Sequence, residues 1–316
     1  MNYSFLFGPS GSGKTSCAFR EMAEDSLSAP GKRFFILVPE QHGMLEQKRL
    51  LMLHPRHASG NVEVMSFNRL AYRVFAELNI RNPEFMDDSG KAMVLRRVAS
   101  ERAGALLLWR DRMKKAGFTE NVKSMISECF QYGVRPEDLR RASEQGLPLP
   151  LRKKLSDLSV LYEGFRQFIE GKSLPKEELL QIFADHIEES TLLRGAVFLF
   201  DGFTGFTPVQ YRIIERLFAV AERLRFVVTI GREADPYHRT GEEALFHMSA
   251  EMTARLIDLG SKNGAVHDRD VVLKTALRFP EGGALDFLER HFLRYDGEIM
   301  RESPAAIRLL AAANPA

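Results

Sequence analysis

Residues Tyr3 to Thr15 read Tyr-Ser-Phe-Leu-Phe-Gly-Pro-Ser-Gly-Ser-Gly-Lys-Thr, and the rest of the chain is read outward from this stretch. The run Tyr3 to Phe7 is apolar and strand-like, and Gly8 cuts it off. From Gly8 the spacing is Gly-x4-Gly-Lys-Thr, with Pro9, Ser10, Gly11 and Ser12 leading to Gly13, Lys14 and Thr15. That is the pattern of a loop that wraps phosphate. Glycines let backbone N–H groups turn inward around an anion. Lys14 is placed to reach terminal phosphates and Thr15 to offer its hydroxyl to Mg2+. The helix opening near Lys14 points its positive dipole end at the same spot. A strand-like run before the loop and a helix-like one after it, residues 16–26, supply the context the pattern needs. The stretch predicts a site for ATP and Mg2+.

Beyond it, residues 33–38 form a buried-strand candidate that ends at Pro39, Glu40 and Gln41. A helix over 44–52 and a short strand over 62–65 follow. Ser66 caps a helix that runs to about Leu78. From about Pro83 to Glu189 the texture turns helical, with periods at 89–102, 119–132, 136–144, 151–169 and 176–188 punctuated by Pro and Gly. Strand-like runs then return at 196–200, ending in Asp201, and at 224–230, ending at Gly231. Helices are expected at 208–221, 242–259 and 284–294. Strands alternating with helices imply parallel βαβ crossovers, with ligands at the carboxyl ends of the strands.

Asp201 is placed to hold Mg2+ opposite Thr15. The next residue, where a water-polarising carboxylate commonly stands, is Gly202, and residues 203–206 contain no acid either. ATP is therefore expected to bind and to turn over poorly.

With 316 residues the chain has ample length for a core. Its net charge of +2 is too balanced to argue nucleic-acid binding by itself, so any basic surface must be local. The two cysteines, Cys17 and Cys129, form no disulfide framework, zinc site or iron–sulfur pattern, and a reducing cytoplasm fits them. No apolar run approaches the ~18 residues of a membrane span, so no membrane is expected as a partner. The abrupt close on a strand-like run at 307–313 reads as a piece of something longer.

Taken in order, Gly-Pro-Ser-Gly-Ser-Gly-Lys-Thr, Phe-Phe-Ile-Leu-Val-Pro-Glu-Gln at 34–41, Val-Glu-Val-Met-Ser-Phe-Asn-Arg-Leu-Ala-Tyr at 62–72, the helical stretch and Val-Phe-Leu-Phe-Asp-Gly-Phe-Thr-Gly-Phe at 197–206 resemble the N-terminal region of the AddB family. AddB proteins are the B subunits of an ATP-dependent helicase/deoxyribonuclease that processes double-strand DNA ends for recombinational repair. The resemblance implies an α/β fold, a P-loop NTPase of the RecA-like, superfamily 1 helicase-like kind, with an inserted all-helical subdomain. It implies domain 1A over 1–82 and 191–305, a helical 1B-like insertion over 83–190, and the start of a second RecA-like domain at 306–316. It implies heterodimer formation with AddA and contact with single- and double-stranded DNA, including Chi-type sequence recognition on a single strand. On that likeness Gln41 and Arg69 are assigned to bases or phosphates, and Phe67, Tyr72 and Phe206 to base stacking. The family's nuclease domain, its [4Fe-4S] cluster and the arginines that complete the ATP site from the second domain are expected outside this chain. Gly231 is followed by Arg-Glu-Ala-Asp rather than the Gly-Asp-x-x-Gln of working motors. Two other readings stay open at this point, an active superfamily 1 translocase and a P-loop small-molecule kinase.

Overall fold

The computed structural model describes residues 1–80, 85–170, 174–301, 307–308 and 310–311. The chain opens with β1 (Asn2–Gly8), α1 (Lys14–Ser28), β2 (Phe34–Leu37), α2 (Gly43–Leu53) and β3 (Val62–Met65). It continues through α3 (Phe67–Glu77), β4 (Phe85–Met86), α4 (Asp88–Glu101), α5 (Ala116–Tyr132), α6 (Pro136–Glu144), α7 (Leu149–Ile169), β5 (Leu174–Pro175) and α8 (Leu179–His186). The last part holds β6 (Val197–Phe200), α9 (Pro208–Val220), β7 (Arg223–Thr229), α10 (His247–Lys262), β8 (Val266–His267), β9 (Val271–Val272) and α11 (Ala284–His291). Two compact units result. One comprises Met1–Ser66, Leu193–Gly205 and Phe218–Ala316, the other Phe67–Leu192 and Phe206–Leu217. The strand-like run at 307–313, and the second domain expected from 306, fall largely outside the described residues.

The first unit is built on a parallel sheet in the order β3-β2-β6-β7-β1-β8, with β9 also on β1. Period-two alternation sorts its side chains. One face is aromatic: Phe35, Phe198, Phe200, Phe226, Phe5 and Phe7 make successive ring contacts with centroids 4.8 to 6.4 Å apart. The other face is mainly aliphatic. There Leu6, Ile36, Val64, Leu199 and Val227 pack with Ala18, Phe19 and Met22 of α1 and Leu50 of α2. Both faces are covered, which is why the strands read as nearly unbroken apolar runs. Because the register is parallel, the carboxyl ends Gly8, Leu37, Met65, Phe200 and Thr229 gather at one edge. Between β8 and β9, Asp270 accepts the Phe5 N–H at 2.7 Å and so supplies the ladder bond that these short strands leave unmade.

At the end of α2, His54 is 3 % exposed. Its Nδ1 accepts the Arg56 N–H at 3.1 Å, which leaves the ring proton on Nε2, facing the Ser26 hydroxyl at 3.5 Å. Burial, with Arg56 and His57 nearby, pulls the imidazole below its ordinary value of 6.5. A depressed histidine favours the neutral form in the folded state. Its contribution is therefore complete above 6.5 and is lost as pH falls through the folded value. We expect the melting temperature to fall below pH 6.5, and a His54→Gln variant to show a flatter acid limb. Parallel curves for the two proteins would place the acid sensitivity elsewhere.

The second unit is helical. Val94, Leu95 and Val98 of α4, Val122 and Ile126 of α5, and Leu161, Tyr162 and Phe165 of α7 form its core, together with Trp109 and Met113 from the α4–α5 loop. Lys91 of α4 is buried and meets Glu177 at 2.7 Å, which gives the ammonium the partner its burial demands. α3 buries Phe67, Leu70, Ala71, Val74 and Phe75 and turns Arg69, Tyr72 and Arg73 to solvent, the stripe expected of an amphipathic helix.

Several helix bounds differ from the sequence expectation, and two of them have a visible local cause. α10 starts at His247 rather than 242, because the chain first turns, with the Ala244 N–H bonded to the Gly241 carbonyl at 3.0 Å. α11 ends at His291 rather than 294, because Leu293 takes a left-handed φ of 60°.

Candidate functional site

The loop from β1 to α1 lies at the carboxyl edge of the sheet. Gly11 and Gly13 hold φ of 77° and 84°, a region that L side chains rarely enter. A methyl group at Gly8 would stand 2.7 Å from the Ser12 hydroxyl and 2.6 Å from the Leu273 carbonyl oxygen. Pro9 is buried and Ser10 exposed. Lys14 folds back over the loop, its Nζ donating to the Gly8 and Pro9 carbonyls at 2.9 and 2.8 Å. Burial pulls this ammonium down to about 8, opposed by the charge of Asp201. The Ser12 hydroxyl is buried and has no hydrogen-bond partner among the described residues.

Asp201 follows β6, which is separated from β1 by β7 alone. It is buried, its N–H bonded to the Leu37 carbonyl at 3.0 Å, and the Thr15 hydroxyl acts on its carboxylate. Burial raises its proton affinity, and the Thr15 hydroxyl, Lys14 and Arg49 work against that rise. An ammonium, a hydroxyl, a carboxylate and a glycine-rich turn thus converge at one strand edge. Among the described residues no group of three His, Cys, Asp or Glu side chains is placed to hold a metal.

Three residues that the sequence reading did not single out belong to this neighbourhood. Glu46 of α2 acts electrostatically on Asp201, and both its oxygens bind Arg49, at 2.9 and 2.8 Å. Glu289 of α11 acts on Lys14 and is held by Arg232 at 2.8 Å. The third is Arg278. Residues 273–280 lie against the loop, with the Leu273 N–H on the Phe7 carbonyl at 2.8 Å and the Arg278 N–H on that of Gly11 at 3.0 Å. The exposed Arg278 side chain makes no ion pair among the described residues, and its charge is felt at Lys14. No local pattern marks these residues; tertiary contact alone brings them to the loop.

The residues assigned to DNA divide between the units. Gln41 is exposed on the 3-10 turn Glu40–His42 that follows β2. In the helical unit, Phe67 is 4 % exposed, with its ring edge-on to Phe206 at 6.2 Å. Phe206 is half-buried and also meets Tyr211. Arg69 is exposed, and Tyr72, 40 % exposed, stands edge-on to Phe85 at 6.5 Å. Arg69 and Tyr72 share the outer face of α3, and Phe67 does not.

These features define a class, an α/β protein on a parallel sheet whose first strand runs through a glycine-rich loop into its first helix. The family can be named as well. The "ADDB, N-terminal" family model matches residues 5–289, and the chain belongs to that family. It is 33 % identical to the B subunit of the ATP-dependent helicase/deoxyribonuclease of Lachnoclostridium phytofermentans, over 100 % of this chain and 28 % of the relative. The corresponding protein of Moorella thermoacetica is 35 % identical over 99 % of this chain and 28 % of its own length. That of Geobacillus kaustophilus is 35 % identical over 93 % and 26 %. The chain thus spans little more than a quarter of these relatives. No helix among the described residues is long and apolar enough to cross a membrane.

Proposed function

We propose that this chain is the nucleotide-holding, DNA-contacting N-terminal part of an AddB-type subunit, acting in the cytoplasm beside an AddA partner on broken DNA ends. The single observation that carries the nucleotide reading is the convergence of Lys14, Thr15 and Asp201 on the loop from Gly8 to Gly13. Helicase-like, RecA-type architecture follows from the same P-loop reading. The residues fit ATP: the buried Ser12 hydroxyl lacks a partner among the described residues, and Gly11 and Gly13 hold the positive φ that turns loop N–H groups inward. Lys14 and the loop N–H groups would hold the phosphates, with Arg278 beside them. Thr15 and Asp201 would hold Mg2+, which supplies charge neutralisation on the phosphate oxygens.

Turnover is another matter. Gly202 offers no base, and Glu46 and Glu289 are each engaged by an arginine. The chain's own groups bind and orient ATP without activating water. On the DNA side, the name the relatives carry supports a role in DNA repair, with helicase and nuclease work belonging to the larger assembly. In the helical unit exposed Arg69 and Tyr72 are the side chains best presented to a single strand, with Phe67 and Phe206 packed as a ring pair, and in the sheet unit it is exposed Gln41.

Calorimetry with Mg-ATP on this chain, with a phosphate-release assay on the same sample with and without single-stranded DNA, tests the reading. Saturable binding with no DNA-stimulated turnover is expected. Robust turnover would overturn the non-hydrolysing assignment, and absence of binding would reduce the loop to scaffold.

A further inference from the structure

The helical unit carries a basic loop that the nucleotide and single-strand assignments leave without a role. Between α4 and α5, Arg110, Arg112, Lys114 and Lys115 are all exposed, with Asp111 the one acid among them. Asp111 pairs with Lys114 at 2.8 Å. Arg110, Arg112 and Lys115 make no ion pair among the described residues. No acid stands in the first turn of α5, which begins right after Lys115.

This loop is a fixed structure. Leu106, Trp109 and Met113 are buried in the core of the unit, and the Thr119 hydroxyl binds the Met113 carbonyl at 2.9 Å. From α7, the fully buried Asp157 accepts three successive backbone N–H groups, of Leu107, Leu108 and Trp109, at 2.7, 2.8 and 2.9 Å. Helical side chains lean toward the preceding turn. That turn of α7 carries Lys153 and Lys154, four and three residues before Asp157 and on its face of the helix. Neither lysine makes an ion pair among the described residues. Four cations thus stand on the loop and two on the helical turn that precedes its Asp157 anchor, with Asp111 the one acid of the loop, on a chain whose whole formal charge is +2.

The chemistry of the loop also says which form of nucleic acid fits. Single-strand sites join cations to exposed rings on which bases stack. Here the rings are withdrawn: Trp109 is 4 % exposed and Phe118 packs edge-on against it at 5.4 Å. Exposed cations on a fixed loop with no stacking platform match the evenly charged backbone of a duplex, which is held through its phosphates.

We propose that the loop of Arg110, Arg112, Lys114 and Lys115, with Lys153 and Lys154, is a docking surface for the phosphate backbone of double-stranded DNA. It rests on the DNA reading above and adds to it a second binding surface, distinct in chemistry from the single-strand one.

The test uses the 316-residue chain with all four loop cations changed to glutamine (R110Q, R112Q, K114Q and K115Q). A second variant, K153Q with K154Q, leaves the loop itself untouched. Binding to a blunt hairpin duplex and to an unstructured single strand is titrated over a range of salt. The loop variant is expected to lose 10-fold or more in duplex affinity. Its salt slope should fall by about 0.9 for each phosphate that is no longer neutralised. The lysine pair should lose less, and single-strand affinity should stay within about twofold. Unchanged duplex affinity and slope in both variants, beside a wild type that binds, would overturn the docking surface alone. An equal loss on single strands would overturn its duplex character. A wild type that binds neither DNA would overturn the DNA reading and this proposal together.

Discussion

Changing Lys14 to alanine is expected to weaken Mg-ATP binding by about 10- to 100-fold, the equivalent of one charge-assisted hydrogen bond of roughly 1.5–3 kcal/mol. The ammonium has three donors. Two already lie on the Gly8 and Pro9 carbonyls, so its direction is set before any phosphate arrives and the third is left for the ligand. Arginine would not replace it well, because a planar fork cannot make those two bonds from a compact point charge. Methionine keeps the aliphatic stem and removes the charge, so Lys14→Met should lose about as much affinity as Lys14→Ala. Calorimetric titration of the three proteins decides it. Equal affinities would take Lys14 out of the site.

How much of this site could be read in advance follows from where its parts lie in the chain. Gly8 to Thr15 is a local pattern, so spacing alone finds it. Asp201 is found one step less directly, as a polar residue ending an apolar strand. Arg278, Glu46 and Glu289 carry no such mark. Arg278 comes from 264 positions beyond Lys14 and reaches the loop through a backbone bond to Gly11. Glu46 looks like any acid on a short helix until its coupling to Asp201 and its clasp by Arg49 are seen. The sequence shows no acid over residues 202–206, directly after Asp201. The fold adds that these nearby acids are held in ion pairs.

The fold divides in the same way. Buried strands such as Phe34–Leu37 and Val197–Phe200 announce themselves because both sheet faces are covered. Sheet order does not, since nothing in Phe-Phe-Ile-Leu names its neighbours. β8 and β9 have two residues each, too few for any periodicity, and hold the edge of β1 with the help of Asp270. On α3 a run of aromatic and basic residues suggests one binding strip. The 3.6-residue turn then buries Phe67 while exposing Arg69 and Tyr72.

Loss of Asp157 should cost the helical unit heavily. It is 0 % exposed, and its two oxygens take the N–H groups of Leu107, Leu108 and Trp109. Alanine would leave these donors without their acceptor. A buried unsatisfied donor costs about 1–3 kcal/mol. Leu107 and Leu108 are solvent-facing enough to recover water, but Trp109 is buried and cannot. We therefore expect Asp157→Ala to destabilise the unit by about 3 kcal/mol, and Asp157→Asn by less, since the amide oxygen still accepts while its NH2 opposes a donor. Trp109 is the only tryptophan in the chain and sits at the end of this network, so its emission reports the unit directly. A drop of several degrees in the fluorescence midpoint is expected, with the alanine variant lower than the asparagine one. A midpoint within about a degree of wild type would mean that the loop is held by the packing of Leu106, Trp109 and Met113 without the carboxylate. In that case the rigidity behind the duplex-docking surface would come from packing rather than from the carboxylate.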